Sequence, residues 1–373
     1  MKSLNDLSRI LQDAGVNFFA MLPCEKVASL YSAISRDFRH VYLSREEEGV
    51  GICGGAYLAG AKPAMLIQST GLGNMANALC SLTQTYRMPL LILASWRGIY
   101  QERIAAQIPL GRSLPGMLDA LSIGYTTIRR LNDLSSLGSI ADEVYRHEVI
   151  HVMLLSPELT AKERSSASKS ETVENRDEDD VKDHVRSKPL STRFGVLKAA
   201  APYLDGKIVV CNLGMPSKEL FMIRHQKSNF YMLGSMGLAS SIGLGISLFT
   251  SKQVVAVDGD GSLLMNLGSL STIARERPPN LTILAIDNGV HGSTGNQLTA
   301  AACCADLERI ARGSGFTRTF GEVKPQRLLS VLQNLRGGPN FVHVRVKPGN
   351  ADVPDVPLAP HEIKKGVMEA IAA

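Results

Sequence analysis

The stretch VVAVDGDGSLLMNLG, which runs from Val254 to Gly268, carries the strongest fold signal in the chain. An apolar run typical of a buried strand ends at Gly259, Asp260 and Gly261, and a helix-like sequence follows. Glycines allow the backbone to approach a ligand closely, and a helix N-terminus favours an anion such as phosphate. A carboxylate at this place would repel phosphate unless a divalent cation lay between them. Because Mg²⁺ binds one or two protein oxygens together with phosphate oxygens, we expect Asp260 to be a metal ligand.

A second oxygen ligand is predicted at the end of a neighbouring strand. The sequence LTILAIDNGVHGSTG begins at Leu281, and its apolar run ends at Asp287 and Asn288 before a loop that contains glycine. The amide oxygen of Asn288 and the main-chain carbonyl of Val290 are candidates for the second and third ligands. Asp and Asn also cap turns commonly, and either residue taken alone is explained equally well in that way.

Apolar strand-like runs alternate with helical patterns on both sides of a charged central segment. Such runs, when separated by helices, are typical of parallel sheets that are covered on both faces. The predicted fold class is therefore α/β, with two doubly wound parallel-sheet domains and ligands at the carboxyl ends of the strands. The predicted strands are 16–22, 41–44, 63–69 and 89–95 in the first half, and 207–214, 253–260, 281–288 and 341–348 in the second.

The central segment 161–189 differs from the rest of the chain in composition. It carries eight acidic and seven basic residues and no aromatic residue. Such a sequence buries too little apolar surface to offset the cost of ordering it, which predicts a flexible charged linker. A charged surface helix is the alternative. The expected division is a domain at 1–160, the linker at 161–189 and a domain at 190–373.

Composition limits the classes of function. The net charge of +5 is spread along the chain, so nucleic-acid binding has little support, whereas small anionic substrates fit. The N-terminal sequence lacks the apolar core of a signal peptide, and the longest plainly apolar run, Met88–Trp96, is too short to cross a bilayer. The six cysteines form no CxxC pair, which indicates reduced thiols. We therefore expect a cytoplasmic protein that binds neither nucleic acid nor membrane.

The motif GDGS, followed by residues 262–286 and then by Asp-Asn, resembles the diphosphate-binding motif of thiamine-diphosphate enzymes. The resemblance implies thiamine diphosphate and Mg²⁺ as cofactors, with the metal held by Asp260, Asn288 and the carbonyl of Val290. The segment LGSMG is similar to the family's segment whose bulky residue supports the bent cofactor, which implies that role for Met236. Methionine at such a position is otherwise often a core residue. The remaining residues implied to bind the cofactor are Gly234, Gly259, Gly261 and Ser262.

Enzymes of this family also place a glutamate against the aminopyrimidine ring of the cofactor. The segment SREEEGVGICGG, which begins at Ser44, resembles that region. Gly55 follows Glu46 by nine residues, a spacing that resembles the family's and selects Glu46, with Glu47 in reserve. The other two glutamates of the run are expected to be solvated residues at a helix start.

The sequence TGLGNMA also matches the dinucleotide fingerprint G-x-G-x-x-A after a strand. A dinucleotide site needs an acidic residue about 20 positions later to bind the ribose. No Asp or Glu occurs between Glu48 and Glu102, which disfavours that interpretation. In the thiamine family the corresponding glycine loop borders the active site.

Within this family the chain resembles decarboxylases of small 2-oxo acids that carry a second anionic group. The resemblance implies that the cofactor's thiazolium carbanion (ylid) attacks 3-sulfopyruvate, which yields sulfoacetaldehyde and CO₂, a reaction that belongs to coenzyme M biosynthesis in methanogenic archaea. The segment SWRGIYQERIAAQ resembles that of the family's enzymes for the sulfonate rather than the phosphonate compound, which implies a sulfonate substrate. His291 stands where the family more often has tyrosine and is a candidate proton donor or substrate ligand. The residues implied to bind the anionic substrate are Gln68, Asn74, Arg97 and Gln107.

The glutamate and the metal ligands are predicted to lie on different domains. In the family these two elements come from different subunits, so we expect a homo-oligomer, at least a dimer, with active sites between subunits. Three alternatives remain. They are a phosphonopyruvate decarboxylase, a carboligase that uses the same cofactor, and a catalytically silent partner that only binds the cofactor.

Overall fold

The computed structural model describes residues 4–156, 159, 189 and 191–373. Two six-stranded sheets, each entirely parallel, form two separate layers with helices around them. We call residues 4–156 the first unit and residues 191–373 the second unit. The predicted linker 161–189 lies outside the described residues except for its last position. No described helix is long and apolar enough to cross a membrane.

The first unit contains six strands in the order β2-β1-β3-β4-β6-β5. Helix α4 continues directly into a π-helical turn at Leu79–Gln84. The strands are β1 Phe18–Met21, β2 Arg39–Tyr42, β3 Pro63–Gln68, β4 Leu90–Ser95, β5 Gly124–Ile128 and β6 Ile150–Leu155, and the α-helices are α1 Leu4–Asp13, α2 Ala28–Asp37, α3 Glu46–Leu58, α4 Gly71–Ala78, α5 Ile108–Ala120 and α6 Leu137–His147.

The second unit has the strand order β13-β14-β10-β9-β7-β8, and a short antiparallel hairpin, β11 with β12, stands apart from the sheet. The strands are β7 Ile208–Cys211, β8 Asn229–Tyr231, β9 Val254–Gly259, β10 Leu281–Asp287, β11 Val290–His291, β12 Gln297–Leu298, β13 Arg318–Phe320 and β14 Asn340–Arg345. The helices are α7 Arg193–Leu204, α8 Met215–Arg224, α9 Ala239–Ser247, α10 Asp260–Met265, α11 Gly268–Glu276, α12 Ala300–Cys303, α13 Leu307–Gly313, α14 Pro325–Gln333 and α15 Pro360–Ala372.

The α/β class and the parallel sheets predicted from the sequence are confirmed. All eight predicted runs contain strands, namely β1, β2, β3, β4, β7, β9, β10 and β14. The prediction missed β5, β6, β8 and β13, and three of these four, β5, β8 and β13, are sheet edges. Edge strands are short or partly exposed, so their apolar pattern is weak. In β5, for example, only one of the five residues is buried. β6 is buried and apolar, so the pattern that predicts a strand is present there.

The two units pack against each other chiefly through α3 of the first and α9 of the second. Both helices are rich in glycine and small residues along this contact, which allows their backbones to approach closely. The C-terminal helix α15 adds a polar tie, because Nζ of Lys364 donates to the main-chain oxygen of Arg87 at 2.9 Å and to Glu148 Oε1 at 2.7 Å.

Candidate cofactor and substrate sites

Asp260 begins α10 at the carboxyl end of the central strand β9, and its side chain is buried. One carboxylate oxygen, Oδ2, accepts a hydrogen bond from the hydroxyl of Thr299. Burial raises the pKa of Asp260, and the negative charge of Asp287 raises it further, while the Thr299 hydrogen bond lowers it. A buried carboxylate with a raised pKa gains free energy when a cation binds beside it.

Asn288 follows β10, the neighbour of β9 in the sheet, so it stands at the same edge as Asp260. Its Oδ1 accepts a hydrogen bond from the main-chain N–H of Val290 at 3.3 Å. Asp287 braces this loop, because its Oδ1 accepts from the N–H of Gly289 at 2.9 Å and its Oδ2 pairs with His343 Nε2 at 3.0 Å. The loop that carries the proposed ligands is therefore anchored on a buried carboxylate.

Met236 lies in the loop between β8 and α9 and reaches the same place. Its neighbours Ser235 and Gly237 both have positive φ, 58° and 95°, so the backbone on each side of Met236 is in a conformation that favours glycine. A Cβ placed at Gly261 would lie 2.7 Å from Cε1 of His291 and 3.4 Å from Cε of Met236. Glycine at position 261 is what allows these two side chains to meet above the start of α10. A strained non-glycine residue beside such a contact is typical of functional sites.

These residues line an open cavity of about 650 Å³ in the second unit. The oxygen donors at its floor fit a hard divalent cation, since Asp260 and Asn288 offer one carboxylate and one amide. The part of the chain that the structure describes contains no group of three His, Cys, Asp or Glu side chains suited to a metal. A metal here would need further oxygens from the main chain and from a bound phosphate. The residues present thus fit thiamine diphosphate with Mg²⁺.

Glu46 is the first residue of α3, and its side chain is only 7% exposed. Its Oε2 accepts a hydrogen bond from Nδ2 of Asn74 at 3.0 Å. A Cβ at Gly71 would lie 2.4 Å from Cγ of Glu46, so the glycine-containing start of α4 packs directly on this side chain. The contacts described for Glu46 therefore come from the first unit. The residues that line the Asp260 cavity all belong to the second unit.

The other two glutamates of the run have different surroundings. Glu47 points towards Arg45, at 3.7 Å, and its side chain is 20% exposed. Glu48 was expected to be solvated, and that expectation is wrong, because its side chain is fully buried. It accepts hydrogen bonds from the main-chain N–H of Ser44 and from Thr272 Oγ1 of the second unit, the latter at 2.9 Å. Glu48 thus joins the two units, a role that a run of three equal residues could not reveal.

The residues expected to bind substrate form two groups in the first unit. Gln68 donates to Gln107 Oε1 at 3.3 Å and accepts from Nη1 of Arg97 at 3.3 Å. Asn74 is separate from this network and lies on Glu46. His291 is in the second unit, so the structure brings three of the five candidates together and leaves the other two elsewhere in this chain.

Arg97 is buried, and its charge already has a partner. Its Nε and Nη2 donate to the two carboxylate oxygens of Glu102, at 2.6 and 3.2 Å. The Arg97 hydrogen bonds lower the pKa of Glu102 to about 2. The pair holds the guanidinium in one orientation, with Nη1 directed at Gln68.

Three residues of these sites were missed from the sequence, namely Thr299, Glu102 and Arg193. Thr299 reaches Asp260 only because the hairpin β11–β12 folds back over α10. Arg193 lines the cavity from the start of α7, 67 residues before Asp260 in the printed numbering. No local pattern marks Thr299 and Arg193, since each acts through a contact that is distant in sequence, whereas Glu102 lies only five residues after its partner Arg97.

Models of two thiamine pyrophosphate enzyme domains match the chain. The N-terminal TPP binding domain matches residues 1–123 and the C-terminal TPP binding domain matches residues 214–345. A thiamin diphosphate-dependent enzyme of Mycobacterium smegmatis has the same fold, with a TM-score of 0.68 at 15% identity, over 94% of this chain and 100% of that chain. This chain belongs to the thiamine pyrophosphate enzyme family, whose cofactor is thiamine diphosphate.

Relatives with similar sequences are named as decarboxylases of two related compounds, sulfopyruvate and phosphonopyruvate. Sulfopyruvate decarboxylase of Methanosarcina acetivorans is 42% identical over 97% of this chain and 96% of its own length. Phosphonopyruvate decarboxylase of Streptomyces viridochromogenes is 32% identical over 93% of this chain and 89% of its own. In Methanococcus maripaludis, the beta subunit of sulfopyruvate decarboxylase matches 48% of this chain at 43% identity and the alpha subunit matches 39% at 36% identity. The two halves of this chain therefore resemble two separate subunits, which indicates that such halves assemble with each other.

Proposed function

We propose that this protein decarboxylates 3-sulfopyruvate to sulfoacetaldehyde and CO₂ with thiamine diphosphate and Mg²⁺. The observation that carries the proposal is the 42% identity, along almost the whole of both chains, to the sulfopyruvate decarboxylase of M. acetivorans. The bound cofactor supplies a nucleophilic carbon and an electron sink for the departing CO₂. A place in coenzyme M biosynthesis and a cytoplasmic location belong to this proposal, and six cysteines that form no disulfide support the latter.

In this proposal the Glu46 carboxylate forms a hydrogen bond with the aminopyrimidine ring. This contact favours the tautomer of the ring that can act as a base. Its burial and its hydrogen bond from Asn74 support that role, since both keep the carboxylate in one position. Glu47 is the less suitable choice because its carboxylate faces Arg45 and partly faces solvent.

Asp260, Asn288 and the carbonyl of Val290 are the proposed metal ligands in the second unit. The main-chain N–H groups at the start of α10, including those of Gly261 and Ser262, would hold the diphosphate. Ser262 has its hydroxyl oxygen occupied by the N–H of Gly237 at 3.0 Å, which ties the Met236 loop to the diphosphate loop. The constrained backbone around Met236 agrees with its proposed place beneath the bent cofactor. Gly234 and Gly259 are the remaining residues proposed to bind the cofactor.

The substrate's sulfonate is assigned to the network of Gln68, Gln107 and Arg97. Arg97 carries a positive charge with a fixed direction, and the two glutamines add amide donors beside it. Glu102 offsets part of that charge. The direction of the donor groups therefore contributes to the choice of substrate as much as the positive charge does. Asn74 orients Glu46, and His291 is the proposed proton donor from the opposite side of the site.

We further propose that the active site is completed by a second copy of the chain. The residues that line the Asp260 cavity all belong to the second unit, and the contacts described for Glu46 all lie within the first unit. Three apolar residues that are close in sequence to the residues of this site are exposed, with Leu233 at 45%, Met265 at 57% and Leu298 at 72%. Exposed apolar groups at this place support burial against another copy, in an assembly of at least two chains.

The test is a comparison of substrates with purified protein, thiamine diphosphate and Mg²⁺. Release of CO₂ and sulfoacetaldehyde in equal amounts from 3-sulfopyruvate, at a kcat/KM at least ten times that for 3-phosphonopyruvate, is the expected result. A preference for phosphonopyruvate would assign the chain to the second enzyme type. Consumption of two carbonyl compounds without matching aldehyde release would indicate a carboligase, and no turnover of any of them would indicate a silent binding partner.

A further inference from the structure

Arg193 is a buried cation on the wall of the cofactor cavity. Its side chain is 8% exposed, and it lines the cavity together with Asp260, Asn288 and His291. Among the described residues that line this cavity it is the single Lys or Arg. A buried charge is costly to maintain, which raises the question of what Arg193 binds.

The buried carboxylate of Glu219 holds the Arg193 guanidinium in a single orientation. Nε and Nη2 donate to the two carboxylate oxygens of Glu219, at 2.9 and 3.0 Å, and Glu219 is fully buried. Nη2 also donates to Oδ1 of Asn350 at 2.8 Å. The described hydrogen bonds of Arg193 therefore use Nε and Nη2, and the two N–H groups of Nη1 make none of them.

Asn350 connects this cation to the loop that follows the proposed metal ligands. Its Nδ2 donates to the carbonyl of Gly292 at 2.8 Å. A Cβ at Gly292 would lie 3.1 Å from Oδ1 of Asn350 and 3.5 Å from Nδ2 of Asn288. Arg193 thus stands two hydrogen bonds away from the loop segment that directly follows Asn288 and Val290.

We propose that Arg193 binds the diphosphate of the cofactor through Nη1, as a second source of positive charge beside the metal. This inference rests on the cofactor site proposed above. A diphosphate carries more negative charge than one divalent cation neutralises, and Nη1 offers two charged N–H groups that none of the described hydrogen bonds uses. The two hydrogen bonds to Glu219 hold Arg193 in place for this contact before the cofactor arrives.

The test measures cofactor affinity without turnover, by titration calorimetry of the full chain with thiamine diphosphate and Mg²⁺. The main variant is the double substitution Arg193→Met/Glu219→Gln, which removes the cation without leaving a buried carboxylate unpaired. Loss of one charge-assisted contact predicts affinity that is weaker by about 10- to 100-fold. Arg193→Lys, which keeps the charge and loses the fork, should lie between the double variant and the wild type.

Asn350→Ala is the matched control, because it removes the link to Gly292 and leaves the guanidinium in place. Its affinity should stay within about fivefold of the wild type, since a neutral hydrogen bond contributes less than a charged one. The proposal is overturned if the double variant, with an unchanged melting temperature, binds within threefold of the wild type. It is also overturned if Asn350→Ala weakens binding as much as the double variant, because Arg193 would then only position the loop.

A separate variant distinguishes failure of this inference from failure of the cofactor site itself. Asp260→Ala, titrated in the same way, should show no measurable binding. Unchanged affinity in Asp260→Ala would reject the cofactor site, whatever the Arg193 variants do. Lost affinity in Asp260→Ala with unchanged affinity in the double variant would reject the role of Arg193 alone.

Discussion

Gly55 of α3 and Gly245 of α9 lie against each other where the two units meet, with no room for a side chain on either. A Cβ at Gly55 would lie 2.1 Å from the carbonyl oxygen of Ile242, and a Cβ at Gly245 would lie 2.1 Å from that of Ile52. Since α3 begins at Glu46, this contact also sets where the proposed pyrimidine-binding carboxylate stands relative to the second unit.

Gly55→Ala should destabilise the protein by about 1 to 3 kcal/mol, because the added methyl group meets backbone atoms that can move only if the two helices separate. Urea denaturation measures the change. Gly116→Ala is the control, since Gly116 is also helical and a Cβ there meets nothing within 4 Å. That substitution should be neutral or stabilising by up to about 1 kcal/mol. Equal effects of the two substitutions would show that α3 and α9 do not pack this closely.

Glu46→Gln should leave cofactor affinity nearly unchanged, because the diphosphate and metal contacts are proposed on the other unit. Decarboxylation and hydrogen–deuterium exchange at the thiazolium carbon should slow by about 10²- to 10⁴-fold or more, since the negative charge that favours ring protonation is lost. Glu47→Gln is the control and should cost less than tenfold. A slower Glu47→Gln enzyme would transfer the role to Glu47. Unchanged exchange in both variants would remove the proposed role from this helix.

Asp260→Ala should abolish binding of thiamine diphosphate and Mg²⁺ while the protein remains folded. The diphosphate charge would then face the start of α10 without its metal. Circular dichroism and the melting temperature check the fold, and calorimetry checks binding. Asp205→Ala is a suitable control, because Asp205 pairs with Arg224 at an exposed position far from the cavity lining. Wild-type affinity in Asp260→Ala would contradict the proposed metal site.

Expression of residues 1–160 and 190–373 as two chains should give an active complex. The α and β subunits of M. maripaludis sulfopyruvate decarboxylase, which match the two halves separately, support this prediction. The packing of α3 on α9 supplies a buried surface that needs no covalent connection. Co-purification and turnover of sulfopyruvate are the measurements. A complex that assembles normally but lacks activity would mean that residues 161–189 contribute to the chemistry.

The ion pair of Arg97 with Glu102 should stabilise the folded protein in a pH-dependent way. The pKa of Glu102 is lowered from 4.5 to about 2, so its stabilising effect is full above pH 4.5 and is lost as the pH falls through about 2. The difference in unfolding free energy between wild type and Glu102→Gln should therefore be constant from pH 7 to pH 5 and shrink below pH 4.5. Glu25→Gln, which removes an exposed pair, should show little difference throughout. A difference that does not shrink in acid would contradict the ion pair.

Much of the fold could be predicted from the sequence, because each central strand is marked by a run of neighbouring residues. Each is a short apolar run, those around Asp260 and Asn288 end in glycine, Asp or Asn, and both sheets were predicted from such runs. The edge strands β8 and β13 are three residues long, and no run of that length stands out from the surrounding loop. The motif around Asp260 was equally local, so the cofactor family could be named from it.

From the sequence alone the α/β class, the family and the run of three glutamates could be recognised, because in each of these the informative residues are neighbours in the chain. The folded structure was needed to distinguish the surroundings of the three glutamates, since Glu46, Glu47 and Glu48 differ only in the residues that α3 places beside them. It also revealed Thr299 on Asp260 and Glu219 on Arg193, contacts that join residues far apart in the sequence. Side chains that turn away from each other by about 100° per residue along a helix meet different surroundings, and only the packed fold determines those surroundings.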